Sequence, residues 1–394
     1  MHDVDLAIVG GGPAGVATAL FLAAAAAGAS RAPRVVVLEK ERYPREKICA
    51  GAIGARADKA LASIGVSVDV PAASVCGLSV AGRHGFVRER LDAPIGRVVR
   101  RVEFDAAFAA VARSRGVVIE EGARVTSIDR EGDGVRLTTS VGDVMARAIV
   151  GADGVGSFVR RTLGFGKGRF TAQVVEVDTE PVDADLDRAF LHFDLNDAAL
   201  PGYAWDFPTV VGGRALVCRG VYELRDEASV IAEGDGADVG ARLAARLERQ
   251  GAKAVSKVKR FAERGLALHE PTAAPRALLV GEAAGIDPVL GEGIAQAILY
   301  GAVAGPYLAA RLEAGDLAFE DWAKVLHASR VGFDLRVRAR AAELAYGPRR
   351  EAMERWVTSS RDLAIAGMRY FAGERVPRWG TARAMMQFAG ALLR

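Results

Sequence analysis

An apolar run, Leu6 to Val9, stops at Gly10 and gives way to a helical pattern, which predicts strand, glycine turn and helix within residues 5 to 15. The same succession returns in ARAIVGADGVGSFVRR (146 to 161), and again from Ala277 in ALLVGEAAGIDPVLGEGI. Apolar strands ending in glycine loops at 10, 151 and 281 predict one α/β domain assembled from the separated segments 1–70, 97–168 and 266–318. Arg34 to Leu38 reads as a second apolar strand, and Ala55 to Ile64 as a helix. Residues 97 to 117 read as a turn into an amphipathic helix with Phe104 and Phe108 inward, and 117 to 140 as strands with a turn at Asp133-Gly134.

The middle of the chain changes period. Val174 to Val177, Phe190 to Leu195, Tyr203 to Val210 and Ala215 to Val221 are strand-like and broken by Pro and Gly, whereas most of 238 to 263 reads as helix. Segments 71–96 and 169–265 are therefore expected to form a second domain around an antiparallel sheet. Residues 319–394 read as a C-terminal helical region.

Bulk properties narrow the function classes. The 394 residues allow a large core, and no stretch of 18 or more apolar residues predicts a spanning helix. The first strand begins almost at the N-terminus, leaving no room for a signal peptide. Cys49, Cys76 and Cys218 lack CxxC spacing, which argues against disulfide scaffolds, zinc and iron–sulfur clusters and fits a reducing cytoplasm. The histidines are scattered singly, so no metal site is expected. A net charge of +3 is too small to suggest nucleic acid, but it is uneven: from Asp321 onward there are 14 Lys and Arg against 7 Asp and Glu. That basic tail mixes aromatics, Met and Arg, a composition suited to a membrane surface or an acidic partner, and equally to packing over the rest of the molecule.

The glycines have separate jobs. Gly10 permits the turn, Gly12 lets backbone approach a pyrophosphate, and Gly15 lets helix pack on strand. An anion there meets unpaired N–H groups and the positive end of the helix dipole. Glu39, closing the second strand, is placed to accept hydrogen bonds from adenosine ribose hydroxyls. Spacing from Gly15 is slightly long, and the alanine run 23 to 27 accounts for an extra helical turn.

Four ordered motifs over residues 5 to 305 resemble the FAD-dependent oxidoreductases of the glutathione-reductase type, in the branch of aromatic hydroxylases, halogenases and geranylgeranyl reductases. GGGPAG, with Gly10, Gly12, Pro13, Ala14 and Gly15, matches the adenosine-side fingerprint together with Glu39. Arg101 in RVEFD resembles the arginine that reaches the FAD phosphates, and Asp153 in GADGVGSFVR resembles the organiser of the loop over cofactor and groove. VGEAAGIDPVLGEGI resembles the ribitol and flavin segment, with Glu282 in place of the usual Asp and a helix starting near Gly291, Gly293 and Ile294. Lys40 is a candidate cofactor contact, and Arg45 and Lys47 are candidate contacts to the FAD phosphate or to an anionic substrate head.

Two further stretches resemble geranylgeranyl reductases specifically: PGYAWDFP (201 to 208) and EKICAGAI (46 to 53), where Ala50 replaces a family glycine. The resemblance implies that Tyr203, Trp205 and Phe207 line an apolar substrate tunnel and that Cys49 is an active-site thiol. It implies a flavin enzyme acting on the C=C bond of a hydrophobic, polyprenyl or quinone-like substrate. NAD(P)H or a reduced protein would be the transient donor, since no second GxGxxG follows a strand. Two alternatives share the cofactor: a monooxygenase or halogenase using oxygen, and an electron-transfer flavoprotein. Cysteine usage and the composition of the tail together suggest a cytoplasmic protein that touches a membrane peripherally through its C-terminal region.

Overall fold

The computed structural model describes residues 3–29, 31–185, 187–227 and 238–376. Its first sheet grows outward from the strand Val4–Val9, which is buried from Asp5 and apolar from Leu6 to its end, as suits a central parallel strand. Val35–Glu39 and Gly142–Gly151 flank it in parallel; Val118–Glu121 and Ala277–Leu279 extend the parallel set on the two sides. Val9 lies opposite Gly151, and Gly151 opposite Leu279. The three glycine loops therefore leave the sheet at the same end, although they are far apart in sequence.

Two helices leave from that end, Pro13–Ala25 and Ile294–Ala314, and they cross with glycine between them. A Cβ on Gly301 would stand 2.6 Å from the Ala17 Cβ, and one on Gly305 only 2.5 Å from Leu22 N. Backbone lies directly on backbone at this crossing, which no larger residue permits.

The second sheet has seven strands, in the order Lys259–Gly265, Phe170–Thr179, Arg214–Asp226, Gly202–Val211, Phe190–Asp194, Gly77–Gly82 and Gly85–Arg90. It is antiparallel except where Phe190–Asp194 runs parallel to Gly77–Gly82. Alternation sends Tyr203, Trp205 and Phe207 to one face and Ala204 and Asp206 to the other. The reverse face is covered by the helix Val239–Gln250, whose Val239 and Leu243 join Val175, Val177, Ala204 and Val221 in a small core.

The chain departs from its sequence pattern in this helix. Helix was expected over most of 238 to 263, but it ends at Gln250, where Gly251 takes a left-handed φ of 63° and closes the last turn. Lys259–Gly265 is a strand instead, because it completes the edge of the sheet against Phe170–Thr179. The C-terminal helices Trp322–Ala328, Arg330–Tyr346, Arg350–Ser359 and Arg361–Phe371 follow. The end of the basic tail, 377–394, lies outside the described residues.

Candidate active site

A groove of ≈ 950 Å³ runs from the first glycine loop to the start of the helix Ile294–Ala314. Its three glycines differ physically. Gly10 has φ 109°, and a Cβ there would meet Ala152 O at 2.4 Å; at Gly15 a Cβ would meet Gly10 O at 2.0 Å. Both are required by the fold itself. Gly12 is not: its φ of −75° and ψ of −178° suit any residue, and the nearest atom to a Cβ would be Arg45 Nη2 at 3.8 Å. As the helix N-cap, position 12 favours glycine only modestly over larger residues, and close approach of something in the groove to its backbone supplies the stronger reason.

Pro13 and Ala14 open the helix behind it, and neither this helix nor Ile294–Ala314 carries a side-chain cap. Both N-termini thus offer unpaired N–H groups to the same groove. Glu39 is fixed at the end of its strand by Gly11 N (3.0 Å) and Glu41 N (3.0 Å), and its Oε2 also meets Arg45 Nη2 at 3.1 Å. Arg45 reaches Asp105 with its other terminal nitrogen (3.1 Å), while Arg101 binds the same carboxylate at 2.6 and 2.7 Å. Asp105 thereby gathers two guanidiniums at the groove, and the enclosed Arg45 Nε has no partner among the described residues. This donor set fits the anionic middle of a dinucleotide. Lys40 is exposed at the rim.

Asp153 faces inward to its own loop, accepting from Ser157 Oγ (2.5 Å), Phe158 N (2.6 Å) and Val159 N (3.1 Å). Glu282 accepts weakly from Arg264 N at 3.3 Å, and Lys47 Nζ stands 4.0 Å from its Oε2. Its longer side chain leaves that carboxylate reaching across the groove towards Lys47.

A second cavity, of ≈ 170 Å³ and mostly apolar, adjoins the groove. Tyr203, Trp205 and Phe207 form one wall, with Phe193 packed edge-on against Phe207 and Tyr222 stacked on Tyr203 at 5.1 Å. Met368 and Phe371 from the last described helix close the far side. Cys49, Phe261, Glu263, Gly291, Gly293 and Ile294 border both cavities and so define where groove and cavity meet. Burial pushes the Cys49 thiol up despite Arg101 nearby, so sulfur there is neutral near pH 7.

The structure thus brings all the residues singled out in the sequence to the groove, to the cavity or to the loops that bound them. Sequence reasoning missed Tyr43, whose hydroxyl donates to Gly11 O, together with Asp105, Phe261, Tyr222 and Glu263. Asp105 was visible as the acid of RVEFD. Phe261 and Glu263 were hidden by the helix expected over their strand.

The family model of the FAD binding domain matches residues 3–315. Digeranylgeranylglycerophospholipid reductase 1 of Methanopyrus kandleri is 30% identical over 342 residues, 80% of this chain and 82% of that protein. The chain belongs to the FAD-dependent oxidoreductases of the geranylgeranyl reductase family. Menaquinone reductase of Mycobacterium tuberculosis is 32% identical over 220 residues, so this chain spans about half (52%) of that relative. Among solved structures, a geranylgeranyl bacteriochlorophyll reductase-like protein from Thermoplasma acidophilum superimposes with a TM-score of 0.76 at 19% identity, over 99% of this chain and 97% of that one. A halogenase in complex with FAD gives 0.70 at 16% identity, over 98% and 85%. This chain shares the glutathione-reductase-type fold with these solved structures, and as a member of its family it is an FAD-binding oxidoreductase.

Beside Cys49, the buried Glu176 carboxyl is pushed up to about 7, first by burial and then by Asp178, against the pull of Arg100 and of the Cys49 backbone. An acid raised from 4.5 to about 7 on folding is held protonated where the unfolded chain releases its proton, so stability falls as pH rises through that window. Glu176→Gln removes the penalty. Relative to wild type it should gain ~3 kcal/mol between pH 4.5 and pH 8 in urea unfolding; an unchanged difference between the two pH values would refute the assignment.

Proposed function

We propose that this chain reduces a C=C bond in a hydrophobic substrate of the prenyl or quinone type. The observation that carries the reading is the apolar, aromatic-walled cavity opening on the groove beside Gly291–Ile294. A compact polar pocket would have suited hydroxylation of a small aromatic; this cavity has few polar groups and suits hydrocarbon. It is smaller than a whole prenyl chain needs, so only the segment around the reacting bond is enclosed. The relatives named as reductases of a digeranylgeranyl lipid and of menaquinone support the same class.

Bound in the groove, reduced FAD supplies hydride to one carbon of that bond. Gly10–Gly15, Glu39, Arg45 and Arg101 hold the adenosine and phosphate half. The start of the helix Ile294–Ala314 stabilises negative charge at the flavin pyrimidine through its free N–H groups. Tyr203, Trp205 and Phe207 exclude water and align the substrate. Lys47, between Glu282 and the Phe261 ring (5.9 Å), stands at the groove where an anionic headgroup or phosphate fits. Electrons come from NAD(P)H docking transiently or from a reduced protein.

A membrane supplies such substrates. The helix Arg330–Tyr346 exposes Phe333 and Val337 beside Arg330, Arg336 and Arg340, which supports a peripheral contact with an anionic surface. Among the described residues no helix is long and apolar enough to cross a membrane.

The test is anaerobic. Chemically reduced holoprotein mixed with a geranylgeranyl lipid, or with a prenylated naphthoquinone, should return to the oxidised flavin spectrum and yield a product that stays heavier by two hydrogens after any quinol has been reoxidised in air. Presenting the substrate in anionic vesicles should raise the rate over neutral ones. An oxygenated or halogenated product on exposure to oxygen, with no alkene reduction, would replace this reading by the monooxygenase or halogenase.

A further inference from the structure

Reducing a C=C bond needs a proton as well as a hydride, and the groups bordering both cavities limit its source. Tyr203 donates its hydroxyl to Leu290 O (2.5 Å), and Tyr222 donates to Pro288 O (3.0 Å); both are committed to backbone. Cys49 is a neutral thiol made a still weaker acid by burial, and its sulfur accepts from Gly51 N at 3.4 Å. Glu263 differs from all three. It projects from the edge strand Lys259–Gly265 into the junction, and its enclosed Oε2 has no hydrogen-bond partner among the described residues. That oxygen lies so close to the loop before the helix Ile294–Ala314 that a Cβ on Gly291 would touch it at 2.2 Å.

We propose that Glu263 is the catalytic acid of the reduction, its carboxyl giving the proton to the carbon adjacent to the one that receives hydride. The proposal rests on the reductase reading above. Its surroundings keep the acid loaded: burial first, then the negative charge of Glu282, raise it well above the usual carboxylate range, with Asp287 and Glu176 adding and only Lys47 opposing. Cys49, Tyr203 and Tyr222 face it from neighbouring elements uncharged near pH 7, their pKa values raised by burial. Glu292, the other raised carboxyl lining the cavity, is paired with Arg56 (2.5 Å) and Arg338 (3.8 Å), so the neutral Glu263 carboxyl is the strongest unpaired proton donor at the junction.

The step balances. The π bond of the substrate breaks and two C–H bonds form, one from the hydride of reduced flavin and one from the Glu263 proton. Glu263 leaves as carboxylate and solvent reprotonates it through the groove between turnovers; FAD held in the groove would supply the electron pair and end oxidised. The reductant is the NAD(P)H or reduced protein named above.

Two measurements test this in the FAD-loaded protein. The infrared difference between wild type and Glu263→Gln should contain the carbonyl stretch of a protonated carboxylic acid near pH 7, over and above the Glu176 band that both proteins share, and should lose it as pH rises. A carboxylate at that position near pH 7 overturns the proposal without any assay of turnover. In anaerobic single turnover with a geranylgeranyl lipid, Glu263→Gln should retain FAD and its spectrum but reoxidise ~100-fold more slowly. Glu263→Asp should recover part of the rate, which loss of packing alone would not give. In D2O one deuterium should enter the product, and the wild-type rate should fall at high pH while the Gln variant's stays flat. Equal rates for wild type and Glu263→Gln remove the assignment alone; a wild type that reduces no alkene removes the reductase reading together with it.

Discussion

Gly12→Val should yield a folded protein that no longer keeps FAD. The backbone at 12 is extended and suits valine, and no described protein atom comes nearer than 3.8 Å to the first atom of the new side chain. The helix behind it has no side-chain cap to lose, so exchanging glycine for an apolar residue at that position costs about 1 kcal/mol or less. What the valine does obstruct is the approach of a pyrophosphate to the backbone. We expect affinity for FAD to fall about 100-fold, the equivalent of ~3 kcal/mol of overpacking at the ligand. Titration of apoprotein with FAD, beside thermal unfolding of the apoprotein, separates the two effects. Gly15→Val is the contrast: its clash is with Gly10 O inside the fold, so stability and cofactor should be lost together. A Gly12→Val protein that binds FAD as wild type does would show that the cofactor passes elsewhere.

The largest loss of stability is expected from Asp206→Ala. Asp206 alternates with the aromatic wall and points to the other face, where Arg246 grips it at 2.6 and 2.7 Å and Arg219 approaches to 2.8 Å. Arg219 is fully enclosed and Arg246 is 5% exposed, so alanine takes the shared carboxylate from two buried cations and leaves Arg219 with Asp185 and Arg246 with Asp194 at 3.4 Å. Breaking such a pair from one side costs ~3–5 kcal/mol, and a melting point lower by about 10 °C follows. Burial alone would push the Asp206 carboxyl up, but the two arginines prevail and hold it at about 2, below the usual 3.8. A depressed carboxyl stabilises above its unfolded pKa and ceases to do so as pH falls through the folded one. Wild type and variant should therefore differ fully at pH 7 and converge between about 4 and 2. A difference that is the same at both ends would mean the network carries no charge-dependent stability.

How much of this was legible in the sequence varies with distance along the chain. The groove was legible because each of its parts is local: an apolar strand, a glycine, a helix start, repeated at 10, 151 and 281. The aromatic wall was legible through its period of two. Glu263 was not, since nothing near it in sequence says that 259–265 will complete a sheet edge by pairing with residues some ninety positions earlier. Gly251, whose αL geometry ends the preceding helix, was the available signal. Glu39, read as a ribose ligand, also serves the empty-handed backbone of its own loop by accepting from Gly11 and Glu41, a role that only coordinates reveal.

The crossing at Gly301 and Gly305 acts as a ruler. With main chain resting on main chain there is no side chain to act as a cushion, so one helix cannot slide or roll along the other without collision. Their two N-termini stay a set distance apart, and a molecule that grips both gains by being measured once in advance. Riboflavin monophosphate, which lacks the adenosine half, would forgo that advantage and should be retained more weakly than FAD.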